Sequence, residues 1–130
     1  MINLKFKSID NSTPTYFIAD IAANHDGDLQ RAIDLINRAK DANADCAKFQ
    51  HFKADKIVSN YGFSKIDSDK LSHQKEWEAS VFDIYNQYHT REEWTERLIE
   101  ACDNAEIEFM TTPYDIEAVN AFENLIKAYK

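Results

Sequence analysis

Three short apolar runs, residues 16–19, 44–49 and 107–110, are separated by stretches whose apolar residues recur at helical spacing, and this alternation narrows the possible folds more than any other feature. A nearly continuous apolar strand is the kind buried on both faces of a parallel sheet, and a parallel pair needs a long crossover between its strands. After the first run, Leu29, Ala32, Ile33, Leu35, Ile36 and Ala39 form one helical stripe. Asp28 stands where an N-cap belongs, and Asn43 can take the left-handed conformation that ends a helix. Residues 91–104 repeat the pattern through Trp94, Leu98, Ile99 and Cys102, with Thr90 as the expected cap. Asp115 is expected to cap a further helix over 116–126.

Residues 4–7 alternate in polarity, and the turn-prone run Asp10-Asn11-Ser12-Thr13-Pro14 separates them from 16–19, which predicts a leading β-hairpin. An insertion over 52–88 is expected to hold a loop around Tyr61-Gly62-Phe63 and a helix from about Leu71. Trp77, Phe82, Tyr85, Tyr88 and Trp94 read as core and packing aromatics. The closing Ala128-Tyr129-Lys130 reads as the start of another strand. Such a pattern fits an open doubly wound sheet or part of a (β/α)8 TIM barrel, which needs roughly 250 residues. An apolar strand that opens at residues 128–130 favours the second. The expectation is therefore an α/β chain forming the N-terminal portion of a TIM barrel with a leading hairpin.

A formal charge of −8, with no concentrated basic stripe, speaks against a nucleic-acid footprint. No apolar run of about 18 residues exists to span a bilayer, and Met-Ile-Asn-Leu-Lys-Phe-Lys lacks the apolar core of a signal peptide, so a cytoplasmic location is expected. Cys46 and Cys102 lie far apart in apolar stretches and are read as buried, reduced thiols.

In a parallel α/β fold, functional atoms gather at the carboxyl ends of the strands. That rule selects Asp20 and the Asn24-His25-Asp26-Gly27 loop, then Lys48 and Gln50, then Thr111 and Thr112, and Lys130 where the last run begins. Lysines and hydroxyls together suit a phosphate, while amides and carboxylates suit a polyhydroxylated partner. Lys48 between Ala47 and Phe49 needs an anion or carboxylate to offset its burial, and Asp20 at a strand end likewise needs a partner. Thr112 before Pro113 can also be a plain strand terminator, and His25 a residue that fixes its own loop by hydrogen bonds. His51, His73 and His89 show no metal-ligand spacing and read as solvated or packing residues.

The segments Ile18-Ala19-Asp20-Ile21-Ala22-Ala23-Asn24-His25-Asp26-Gly27-Asp28, Ala44-Asp45-Cys46-Ala47-Lys48-Phe49-Gln50, Ile107-Glu108-Phe109-Met110-Thr111-Thr112-Pro113-Tyr114-Asp115 and Ala128-Tyr129-Lys130 resemble, in order and spacing, the sialic acid synthase family, which includes pseudaminic and legionaminic acid synthases. The resemblance implies a (β/α) barrel that condenses phosphoenolpyruvate with an N-acylated amino sugar such as N-acetylmannosamine and releases phosphate. It implies a divalent metal, manganese or magnesium, as Lewis acid for the sugar aldehyde. The metal's two histidines come from later strands in that family, so no metal ligand is expected in this chain. By position, Lys48, Thr112 and Lys130 look like phosphoenolpyruvate ligands, with Gln50 lining the same site and Asn24 and His25 on the substrate-facing loop. Lys48 and Asp20 are the expected catalytic pair. Asp20 stands where the family has a glutamate, and Ala22 and Asn43 stand for glycines. Residues 1–130 would be a partial synthase barrel domain, without the rest of the barrel or the carboxy-terminal antifreeze-like domain, inactive and self-associating by itself, the complete enzyme being a homodimer. A non-catalytic α/β module that binds a phosphorylated metabolite or a partner chain is the alternative, and a barrel aldolase acting on phosphosugars a further one, for which no second basic cluster is present.

Overall fold

The computed structural model describes residues 1–65 and 79–130; the expected helix start at Leu71, with His73 and Trp77, lies outside them. A two-stranded antiparallel ribbon, β1 (Ile2–Asn3) and β2 (Ser8–Ile9), precedes a parallel sheet of β3 (Ile18–Ala22), β4 (Cys46–His51) and β5 (Glu108–Pro113), with β4 in the middle. The helices are α1 (Leu29–Asp41), α2 (Ala54–Ile57), α3 (Asn60–Lys65), α4 (Val81–Tyr88), α5 (Thr95–Asn104) and α6 (Ile116–Phe122). A parallel bridge between Thr111 and Tyr129 adds the closing residues beside β5, so the sheet grows in sequence order. The α/β expectation holds, with parallel strands and intervening helices as the apolar periodicity predicted.

Register decides what each sheet face carries. Ala19 lies opposite Ala47, and Ala47 opposite Phe109, and these share the core with Phe49, Ile21 and the buried stripes Ala32, Ile36 and Ala39 of α1 and Leu98 and Cys102 of α5. Phe122 of α6 joins the same cluster, so α1, α5 and α6 all cover one face. Alternation along the strands puts Asp20, Lys48, Gln50, Met110 and Thr112 on the other face. Both cysteines are buried and unpaired; burial pushes the Cys46 thiol up to about 12 and raises that of Cys102 as well.

Local rules set most helix ends. Asp28 Oδ1 accepts from the Arg31 amide at 2.9 Å, and Asp115 Oδ1 from the Ala118 amide at 2.8 Å, as expected of N-caps. Asn43, at φ 60°, closes α1, and Glu106, at φ 51°, closes α5 in the same way: its amide reaches Asp103 O, and the Ile107 amide reaches Cys102 O. Glu106 is exposed and carries a Cβ in a region that favours glycine. Glu106→Gly is therefore expected to raise stability by ~0.5–1 kcal/mol, read as a higher urea midpoint at unchanged slope. A lower midpoint would show that the left-handed turn is not strained.

Three expectations are corrected. The ribbon closes on itself: the Leu4 amide bonds Lys7 O, and β1 pairs with β2, not residues 4–7 with 16–19. Tyr61-Gly62-Phe63 lies inside α3, because Ser59 starts a helical turn through its hydroxyl on the Gly62 amide and its carbonyl on the Phe63 amide. And α6 ends at Phe122, four residues short of the expected stop.

The ribbon sits at the amino end of the sheet. Glu108, at the start of β5 and only 4% exposed, accepts the Lys5 amide at 2.9 Å, and Lys5 Nζ and Lys7 Nζ pair with Asp103 and Asp45. Contacts of β1–β2 thus close the end opposite the residues selected as functional.

Candidate active site

Lys48 occupies the central strand between two fully buried neighbours and is itself 6% exposed, yet its ammonium reaches Asp20 Oδ2 at 2.8 Å. The pairing follows from register, since Asp20 and Lys48 are Cα partners across β3 and β4. Asp20 is half exposed, so the pair stands at the mouth of the face, with the lysine side chain as its buried part. An ammonium has three donors, and Asp20 takes one; among the described residues the other two have no partner.

Two further groups share that face. Gln50 lies two residues beyond Lys48, ~6.6–7 Å along the strand, and its Cα partner on β5 is Thr112. Thr112 Oγ1 is buried without a hydrogen-bond partner among the described residues. A buried hydroxyl left unmatched costs free energy unless something supplies the missing bond. Spare ammonium donors, an unmatched hydroxyl and an amide on one face form a donor-rich receptor for a small anion.

Lys130 arrives from the far side of β5, where its amide donates to Thr111 O at 3.1 Å and its side chain is exposed. Asn24 is exposed on the loop after β3, its Nδ2 held by Ile21 O at 2.8 Å. His25 is not brought to Lys48. It is fully buried, edge-on to Trp94, with its Nε2 3.0 Å from Thr90 Oγ1. The Gly27 amide donates to Nδ1, which leaves Nε2 as the protonated nitrogen that donates to Thr90. Burial lowers its pKa. Thr90 is accordingly no helix cap: the residue is 2% exposed and its hydroxyl faces His25, and Arg91 opens the following turn without a side-chain cap.

His51 was unexpected as a network centre. Its Nδ1 hydrogen-bonds with Thr111 Oγ1 at 2.7 Å and its Nε2 with Thr95 Oγ1 at 3.2 Å, against the ring of Phe122. Burial drives its pKa down to about 4. The signal was available: His51 lies two residues after Phe49 on β4 and therefore on the covered face. Among the described residues, no three His, Cys, Asp or Glu side chains converge as a metal site would require, so no chemical step is assigned to a metal held by these residues. Nor, among them, is any helix long and apolar enough to cross a membrane.

A family model described as the NeuB family matches residues 35–130. The spore coat polysaccharide biosynthesis protein SpsE of Bacillus subtilis is 31% identical over 110 residues, covering 84% of this chain and 28% of that protein. The N,N'-diacetyllegionaminic acid synthase of Legionella pneumophila is 33% identical over 110 residues, 85% of this chain and 30% of that one. The crystal structure of the Bacillus subtilis SpsE protein superposes with a TM-score of 0.69 at 26% identity, covering 98% of this chain and 32% of its own. The chain thus spans about a third of the length of these relatives.

Proposed function

The chain belongs to the NeuB family, and from that membership we propose that it is the amino-terminal part of a nonulosonic acid synthase, a cytoplasmic enzyme joining phosphoenolpyruvate to an N-acylated amino sugar. The observation that carries this reading is Lys48, a buried ammonium with two spare donors beside the unmatched Thr112 hydroxyl. In this reading Lys48 and Thr112 hold the anionic groups of phosphoenolpyruvate, Lys130 adds a second cation from the next strand, and Gln50 lines the boundary with the sugar. Asp20 keeps Lys48 oriented and faces the sugar. The enolpyruvate methylene carbon bonds to the open-chain aldehyde carbon, whose oxygen gains a proton. Water adds to the neighbouring cationic carbon, and the bond from that carbon to the phosphate oxygen breaks, leaving a 2-keto acid and phosphate.

Sequential strand order with α1, α5 and α6, one helix from each connection, on one face supports a singly wound barrel over a doubly wound sheet. The divalent metal implied for such enzymes would then be held by strands beyond β5, and the 130 residues would be inactive without them. The test is phosphate release from phosphoenolpyruvate by the full-length protein with manganese and a panel of N-acylated hexosamines headed by N-acetylmannosamine. Release that depends on both substrates is expected. A folded, metal-loaded protein that releases none with any sugar would return the chain to the class of phosphate-binding modules.

A further inference from the structure

Beside Gln50 a groove opens between two walls distant in sequence. One is the end of β3 and the loop after it, with Ala22 and Asn24; the other is α4, with Tyr85 and Tyr88, and Phe52 joins Gln50 from the β4 side. Its lining holds amides, aromatic rings and one carboxylate, Asp26, which pairs with Arg31 at 3.0 Å. Among the described residues, no lysine or arginine lines it. These described residues suit the apolar C–H faces and hydroxyls of a neutral sugar better than a phosphate.

Two contacts fix the distance between the walls. His25, in the middle of the loop, donates to Thr90, two residues beyond the end of α4. Gly27, at φ 74°, lies against the Gln87 carbonyl of α4, where an added Cβ would sit 3.1 Å from that oxygen. The loop is not relaxed by itself: Ala22, at φ 52°, and Asp26, at φ 53°, also occupy the left-handed region, and the register of β3 slips between Asp20 and Ala22. Backbone of this kind persists where its surroundings over-determine it. Arg31 contributes from outside, its Nε donating to Asn24 O at 2.9 Å; among the hydrogen bonds of the described residues, the one from His25 ties the loop to the segment that carries the opposite wall.

We propose that the His25–Thr90 hydrogen bond is a cross-brace that sets the width of this groove, making His25 and Thr90 positioning residues for the acceptor sugar; the inference rests on the synthase reading. Neither residue touches substrate. They act through Asn24 and the end of β3 on one side and through Tyr85 and Tyr88 on the other. Lys48 and Thr112 stand on strands and do not depend on the brace.

The experiment is steady-state kinetics on the full-length protein, varying sugar and phosphoenolpyruvate separately, with Thr90→Val and Thr90→Ser and a melting temperature for each. Thr90→Val keeps the shape and removes the acceptor; it is expected to raise KM for the sugar ~10-fold while KM for phosphoenolpyruvate stays put. Thr90→Ser retains the hydroxyl and is expected to behave as wild type. Gly27→Ala leaves the brace in place and forces the loop off Gln87, so it should show the same selective rise even if Thr90→Val does not fold. A melting point lowered with both KM values unchanged, or a parallel rise in both, overturns the proposal. A wild type without synthase activity removes the parent reading, a result distinct from an active enzyme indifferent to Thr90 and Gly27.

Discussion

On the proposed function, Lys48→Met in the full-length protein is expected to lower kcat/KM for phosphoenolpyruvate by on the order of 10³-fold with little loss of stability. Methionine fills the volume of the lysine stem, so the packing between Ala47 and Phe49 survives. The abandoned Asp20 is half exposed and regains water, which spares the folded state the cost of an unpaired buried charge. What disappears is the cation to which an incoming anion would bind, and with it the donors that Asp20 leaves free. Asp20→Asn makes the opposite demand: a buried ammonium keeps only a neutral partner, so stability falls more than in Lys48→Met. Equilibrium unfolding separates the two, and initial-rate kinetics reads the loss. A Lys48→Met enzyme within about threefold of wild type in kcat/KM would remove Lys48 from the site.

Acid lability is the second large effect. His51 is held neutral, its pKa driven from 6.5 to about 4 by burial among Thr95, Thr111 and Phe122, with His25 and His89 adding to the depression. Between those two pH values the unfolded chain binds a proton that the folded chain refuses. Stability is then complete above pH 6.5 and declines as pH falls toward 4, by ~3 kcal/mol for this residue. His25 shifts in the same direction and steepens the fall. Carboxylates titrate at the lower end of the window, so the quantity to measure is the difference in urea midpoint between wild type and His51→Gln as a function of pH. The gap should shrink or invert as pH drops from 7.5 to 4.5. A constant gap would mean that His51 accepts its proton without penalty.

What could be read from residue order was whatever a few neighbours decide. Asp28 and Asp115 cap because a carboxylate three residues ahead of a free amide has a near-automatic partner, and Asn43 turns because the helix behind it has run out. Lys48, Asp20, Gln50 and Thr112 could be chosen from their places at strand ends, but that Lys48 meets Asp20 is a matter of register between strands 28 residues apart. Thr90 shows the limit. A hydroxyl just before an amphipathic stretch has the look of a cap, and its real partner, His25, is 65 residues away. The ribbon failed for a related reason: alternation in 4–7 resembled a strand, whereas those residues form the turn and the pairing lies on either side of them.

The amino-terminal ribbon also has a place in time. Its anchor on the sheet, the Glu108 carboxylate that receives the Lys5 amide, lies 103 residues downstream. During synthesis at ~5–20 residues per second, the ribbon emerges before Glu108 and cannot make that contact for several seconds. Its short local pairing can form at once, whereas the loop that seats it closes only after both crossovers have been made. A segment made well before its anchor settles late, and its seating on Glu108 waits for β5 to take its place beside β4.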